Sequence, residues 1–231
     1  MNDVPPGERM RQTLARQRAA QRAEGVPDHR TRFDRLERLA MLLRENEAAL
    51  CESLQADFGQ RSLSNAAMTE IAYPISAIRY AQKHLRAWMK DEPRKVALLP
   101  RLLGARARVR HQPLGVIGVI SPWNFPVNLA VAPLTDILAA GNRAMVKPSE
   151  HTPRNSALLA ELVARYFSDE EVAVFPGGLE AGEAFARLPF DHLVFTGAGS
   201  IARHVARAAS ENLVPLTLEL GGKSPVIVSR E

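Results

Sequence analysis

The chain has 231 residues and a mass of 25.4 kDa, with 46% hydrophobic and 24% charged residues. That balance excludes a disordered tail, a collagen-like fibre and a disulfide miniprotein. The net charge is +5 and the pI near 9.8, but basic and acidic residues interleave, as at Arg35, Glu37 and Arg38, which reads as a solvated helix face and predicts no nucleic-acid partner.

Residues 1–30 are polar and lack the apolar stretch of a secretory leader. Asp3, Glu8, Glu24 and Asp28 argue against an organelle leader as well. No uncharged run reaches the roughly 18 apolar residues of a membrane span, so no membrane partner is expected. Cys51 is the only cysteine, so no intramolecular disulfide can form, and a cytoplasmic location is expected.

The first ninety residues predict helices. Leu36, Leu39, Leu43, Leu50 and Leu54 recur at helical spacing, as do Ile71, Ile75, Ile78 and Leu85. Breaks fall at 24–28 and 58–65. From 91 to 112, Pro93, Pro100 and Gly104 punctuate short basic and apolar pieces, including Arg101, Arg106, Arg108, Arg110 and His111. This segment predicts an arm or hairpin, and it places a boundary near 112.

Beyond 113 the pattern alternates. Strands are predicted at 116–120, 144–147, 172–175, 192–195, 216–218 and 226–228, with a helix over about 128–140. Thr152 is predicted to cap the helix that starts at Pro153. Alternation of this kind indicates an α/β fold with a parallel sheet and flanking helices.

Ligands of such sheets bind beyond the carboxyl ends of the strands, and the unusual residues lie there. Lys147 and Glu150 are spaced to hold a ribose diol, and equally fit a helix-entry ion pair. Gly177, Gly178, Gly197 and Gly199 remove Cβ atoms where a backbone approaches a phosphate, or serve ordinary turns. Neither Gly-x-Gly-x-x-Gly nor a P-loop is present. Asn124 offers an amide to an oxyanion, or an Asx-turn before Pro126. Glu219, before two glycines, is a general base if it is buried, and otherwise a surface carboxylate. Cys51 falls on the apolar side of a predicted helix and reads as a packing residue. The six histidines show no ligand spacing, so no metal is expected.

Together, Pro122-Trp123-Asn124-Phe125-Pro126, Lys147-Pro148-Ser149-Glu150, Phe195-Thr196-Gly197 and Leu218-Glu219-Leu220-Gly221-Gly222-Lys223 resemble the aldehyde dehydrogenase superfamily. The text of 110–150 is similar to the branch of coniferyl and fatty aldehyde dehydrogenases. The resemblance implies a Rossmann-like sheet preceded by a helical N-terminal segment and a β-arm. Residues 1–112 would be helices plus an oligomerisation-type arm, and 113–231 the NAD(P)-binding domain. Asn124 would stabilise the oxyanion and Glu219 would activate water. Lys147 and Glu150 would hold the adenine ribose of NAD, with NADP possible. Trp123, Ser149, Gly177, Gly197 and Leu220 would line the cofactor crevice. The substrate would be a small-molecule aldehyde, and the full protein a homo-oligomer.

Two departures stand out. Many members carry Ser after Phe-Thr-Gly, where this chain has Ala198. The family's nucleophilic cysteine lies in a motif downstream of Glu-Leu-Gly-Gly, and no such motif occurs here. The expectation is therefore an N-terminal half, inactive on aldehydes alone. The alternative is a non-catalytic nucleotide-binding or assembly module. A weaker third reading gives nucleic-acid binding to 101–111.

Overall fold

The computed structural model describes residues 5–229. Five parallel strands form the central sheet: β3 (Val116–Ile120), β4 (Arg143–Lys147), β5 (Val172–Val174), β6 (His192–Thr196) and β7 (Leu216–Glu219), in the order β5-β4-β3-β6-β7. Val116–Ile120 pairs in register with Arg143–Lys147 on one side, and Ile117–Ile120 with His192–Phe195 on the other. The chain builds outward from β3 to β5 and then crosses back to β6. The reversal lies between β3 and β6, where the connecting loops part and leave a crevice.

Strand periodicity sorts the side chains into two cores. Ile117, Val119, Ala144 and Val146 join the core beneath α2 (His29–Glu45), α3 (Glu47–Phe58), α5 (Tyr73–Trp88), α7 (Asn128–Ala139) and α8 (Pro153–Tyr166). Val116, Met145 and Leu193 face the opposite core with α1 (Pro6–Glu24), α9 (Leu179–Ala186) and α10 (Gly199–Ser210). Gly118 leaves room on that second face. A Cβ there would lie 2.6 Å from the Phe190 ring and 2.7 Å from Leu193. The helices before residue 112 thus pack on both faces of the sheet.

A partly buried ionic cluster ties α2 to the β5 side of the sheet. Arg38 and Arg35 donate to Glu171, and Glu24 accepts from Arg35 and Arg143. Burial pushes the Glu171 carboxyl up, but the guanidiniums of Arg38 and Arg35 outweigh it and hold the group at about 2.

Helix ends are finished by partners distant in sequence. Asp28 caps α2 locally, accepting from the Thr31 N–H at 2.8 Å. Thr152 does not cap α8: its hydroxyl is buried without a partner. Asp57, at the end of α3, instead accepts the N–H groups of Arg154 (3.2 Å) and Asn155 (2.9 Å). The break after α3 contains a short helix, α4 (Leu63–Ala66), and a π-helical stretch, Ala67–Ala72, that runs into α5.

The segment from 91 to 112 is an arm. Strands β1 (Glu92–Arg94) and β2 (Ala107–Val109) pair antiparallel, with α6 (Leu98–Leu102) at the tip. Leu98, Leu99, Leu102 and Leu103 on it are exposed. Its basic residues are partly neutralised: Arg110 makes a two-pronged contact with Asp91 at 2.7 and 2.8 Å, and Arg108 reaches the same carboxylate.

The run 226–228 is not a strand. It carries no regular structure, and Val226, Ile227 and Val228 are 83–96% exposed. A β-branched run becomes a strand only where a neighbour takes up its N–H and C=O groups, and no described strand pairs with it. Among the described residues, no helix is long and apolar enough to cross a membrane.

Candidate active site

Two cavities open at the carboxyl end of the sheet. The first, of about 920 Å³, lies at the reversal point. Trp123 and Asn124 from the loop after β3, Thr196, Gly197 and Gly199 from the loop after β6, and Glu219, Leu220 and Gly221 line it. It gathers both residues predicted to act on the substrate. Proline at 122 and 126 breaks the pairing pattern after β3, so the chain leaves the sheet and presents Trp123 and Asn124 to solvent. Gly197 N–H donates to the Glu219 carbonyl at 3.0 Å, which keeps the two loops together. The side chains of Asn124 and Glu219 are exposed, and among the described residues neither makes a hydrogen bond or ion pair.

The second cavity, of about 620 Å³, lies between α9 and α10. Lys147, Glu150, Gly178, Leu179, Gly182, Phe195, Ile201, His204 and Val205 are among its lining. Lys147 ends β4 on the same face as Met145, and so points toward these helices. Its side chain is 3% exposed. Nζ donates to the Pro148 carbonyl at 2.6 Å and to Glu150 at 3.4 Å. Burial pulls the ammonium below its usual range, and Glu150 offsets part of this. Burial also pushes the Glu150 carboxyl up, but its own backbone N–H and Lys147 leave it lowered overall.

Ser149 is buried. Its hydroxyl accepts the His151 N–H at 3.2 Å, and its carbonyl accepts from Ser156. It therefore builds the turn and lines neither cavity. Gly177 precedes the lining residue Gly178 without lining the cavity itself. Cys51 is buried in the core, and burial raises its thiol.

Several lining residues carry no local sequence signal of function. Leu179, Ile201 and Val205 read only as helix-face apolar residues, although Ile201, Val205 and Ala208 at helical spacing after a glycine loop do mark one face of α10. Arg61, from the segment that reads as a break, and Glu70, just before the predicted helical run at Ile71, lie against the Asn124 loop.

Comparison with known proteins places these features in a family. The model of the aldehyde dehydrogenase family matches residues 6–231, and the chain belongs to that family. It is 54% identical over 223 residues to a probable coniferyl aldehyde dehydrogenase of Caulobacter vibrioides, covering 96% of this chain and 46% of the relative. It is 50% identical over 231 residues to a coniferyl aldehyde dehydrogenase of a Pseudomonas species, covering 100% of this chain and 47% of the relative. Among solved structures, Staphylococcus aureus AldH in a substrate-bound state superposes with a TM-score of 0.89 at 34% identity, over 96% of this chain and 48% of that one. PnpE in complex with nicotinamide adenine dinucleotide superposes with a TM-score of 0.79 at 27% identity, over 91% of this chain and 42% of that one. The chain thus spans about half the length of the curated relatives it matches.

Proposed function

We propose that this chain is the cofactor-binding part of an NAD-dependent aldehyde dehydrogenase acting on a coniferyl-type aldehyde. The observation that carries the reading is Lys147, a buried ammonium beside Glu150 at the rim of the α9–α10 cavity. A buried lysine is costly to keep unless it serves a partner, and its bonds to Pro148 and Glu150 leave a third donor for a ligand oxygen.

A dinucleotide fits the residues present. Leu179, Ile201 and Val205 offer an apolar slot for a flat ring. Neither α9 nor α10 has a side-chain cap at its N-terminus, so their first N–H groups remain available to phosphate oxygens. A Cβ built at Gly178 or Gly199 would meet nothing within 4 Å, which leaves space for a ligand against the backbone. Glu150 beside a 2′-phosphate would repel it, so NAD is favoured over NADP.

When bound, the cofactor would supply a hydride acceptor for the tetrahedral carbon formed once a nucleophile has added to the aldehyde. Lys147 and Glu150 would hold its ribose hydroxyls. Trp123 flanks the groove, and Asn124 donates its amide to the oxygen that becomes negative. Glu219 would take a proton from the water that attacks the acyl group left on that nucleophile after hydride transfer, releasing the acid and the free nucleophile. The relatives named above carry coniferyl aldehyde in their names, which supports that substrate class. The arm, with its exposed Leu98, Leu99, Leu102 and Leu103, is assigned to contacts between subunits. A functional division at 112 separates it from the cofactor part, although packing is continuous across it. The lone, unpaired cysteine supports a reducing, cytoplasmic setting.

Calorimetric titration of the 231-residue chain with NAD tests the reading. Saturable binding is expected, weakened at least about tenfold, or ~1.4 kcal/mol, in Lys147→Ala. Absence of saturable binding would overturn it. No NADH formation with coniferyl aldehyde is expected from these residues alone, because Cys51 is buried and no other thiol is available.

A further inference from the structure

An amide that stabilises a developing charge has to be aimed before the reaction, because displacement of about 1 Å forfeits much of the effect. Asn124 lies in a loop, and its side chain is untethered. Its main chain is not. Arg61 Nη1 donates to the Asn124 carbonyl oxygen at 3.0 Å, across 63 residues of sequence. The same guanidinium lies 4.9 Å from the ring centre of Phe58 and 5.3 Å from that of Phe125. Phe58 in turn faces Trp123, with ring centres 6.1 Å apart. The aromatic residues on both sides of Asn124 therefore rest on a platform organised around Arg61.

The other half of this platform is Glu70. Its Oε1 lies 2.6 Å from Arg61 Nη2. Its Oε2 accepts the N–H groups of Val127 (3.1 Å) and Asn128 (2.8 Å). These are orphan donors at the start of α7, so Glu70 supplies a cap that the local sequence lacks. Glu70 is fully buried and stands on the π-helical stretch Ala67–Ala72. Such turns are rare and concentrate at functional sites. A buried ion pair is a poor device for stability alone, since desolvation offsets the attraction. It is a good device for fixing one geometry.

We propose that Arg61 and Glu70 are the positioning pair of the Asn124 loop: Arg61 fixes the main chain at Asn124, Glu70 fixes the start of α7, and residues 123–128 are thereby held in one conformation. The functional meaning rests on the reading of Asn124 as the oxyanion donor. It gives the N-terminal helices a part in the site beyond covering the sheet.

Trp123 reports on this loop directly. The chain has two tryptophans, so Trp88→Phe leaves Trp123 as the sole fluorophore. In that background Arg61→Ala is expected to shorten the anisotropy decay of Trp123, whose half-exposed ring loses its support on Phe58, and to raise its quenching by acrylamide above the parent's. Arg61→Lys, which keeps the charge facing Glu70, is expected to restore part of both. Glu171→Gln, which weakens a remote ionic cluster, is expected to lower stability and leave Trp123 unchanged. A merely structural role would move Trp123 in step with stability in all three. Should Arg61→Ala fail to fold, Glu70→Gln takes its place, read by Trp123 quenching and by faster hydrogen exchange at Val127 and Asn128 than in the rest of α7. A folded Arg61→Ala, or Glu70→Gln in its stead, with Trp123 as in the parent would overturn the proposal. These readouts need neither cofactor nor turnover. Failure of NAD to bind would sink the proposed function and leave the loop result standing.

Discussion

Lys147 and Glu219 hold equivalent places, each the last residue of a strand in one sheet, yet their surroundings are opposite. Lys147 ends a strand buried along its whole length and is fixed by two acceptors. Glu219 ends the edge strand, three of whose four residues are exposed, and its side chain has no partner among the described residues. The side that holds the ribose in our reading is already built, with Lys147 buried. The side that would do chemistry is open. Position in the sheet accounts for the difference: β4 has a neighbour on each side and helices on both faces, whereas β7 pairs only with β6.

The largest expected effect comes from the ionic cluster at the amino ends of β4 and β5. Glu171 accepts from Arg35 and Arg38, so Glu171→Gln leaves two guanidiniums under-compensated and should cost about 3 kcal/mol at neutral pH. The pH dependence follows from the depressed carboxyl. At about 2 in the folded chain against a usual 4.5, its contribution is complete above about pH 5. It is lost as pH falls from there toward 2, while the proton is taken up more readily by the unfolded chain. Urea midpoints measured from pH 7 to pH 2 should fall through that window in the parent and fall less in Glu171→Gln. Parallel acid limbs would break the argument.

Two glycines sharpen the comparison. Gly118→Ala on β3 drives a Cβ to 2.6 Å from the Phe190 ring, and overpacking of this kind should cost about 1–3 kcal/mol. At Gly221 a Cβ would meet nothing within 4 Å, and Gly221→Ala should change stability by less than about 0.5 kcal/mol. Equal effects at the two positions would show that the edge is packed after all.

The same contrast explains what was legible in the sequence. Strands 116–120 and 192–195 were readable because buried strands are continuous β-branched and apolar runs. Residues 226–228 carry the same signal and form no strand, because pairing depends on a neighbour rather than on composition. Lys147 and Glu150 were readable as a local pair. The partners that complete helix ends were not: Asp57 reaches α8 from 97 residues away, and Glu70 reaches α7 from 57. Thr152 satisfied the local rule for a cap and lost the place to Asp57, whose carboxylate reaches two N–H groups at once.

A smaller effect is expected at Glu150. Its side chain is 45% exposed, so solvent screens its charge. Glu150→Gln should reduce the preference for NAD over NADP by roughly threefold to tenfold, about 1 kcal/mol, as the repulsion of a 2′-phosphate is relieved. Competitive titration of the two cofactors measures it. An unchanged ratio would mean that the carboxylate faces away from the ribose.

The smallest effect is predicted at Glu219, and it tests the comparison most sharply. A carboxylate with no hydrogen bond and no ion pair among the described residues contributes little to folding, so Glu219→Gln should leave the stability within about 0.5 kcal/mol of the parent's, as read from urea midpoints. NAD affinity should change little, because Lys147 and Glu150, assigned to the ribose, line a different cavity, and only Trp123, Gly197 and Leu220 of the cofactor residues share the cavity of Glu219. The substitution keeps size and shape and removes only the charge and the capacity to take a proton. If Glu219 serves as a general base, its environment must be supplied by surface that packs against β7 and 220–229, since burial is what brings a carboxyl into the range of a working base. A loss of stability or of NAD affinity in Glu219→Gln would show that the edge already holds this carboxylate, and that the two halves of the site are built together.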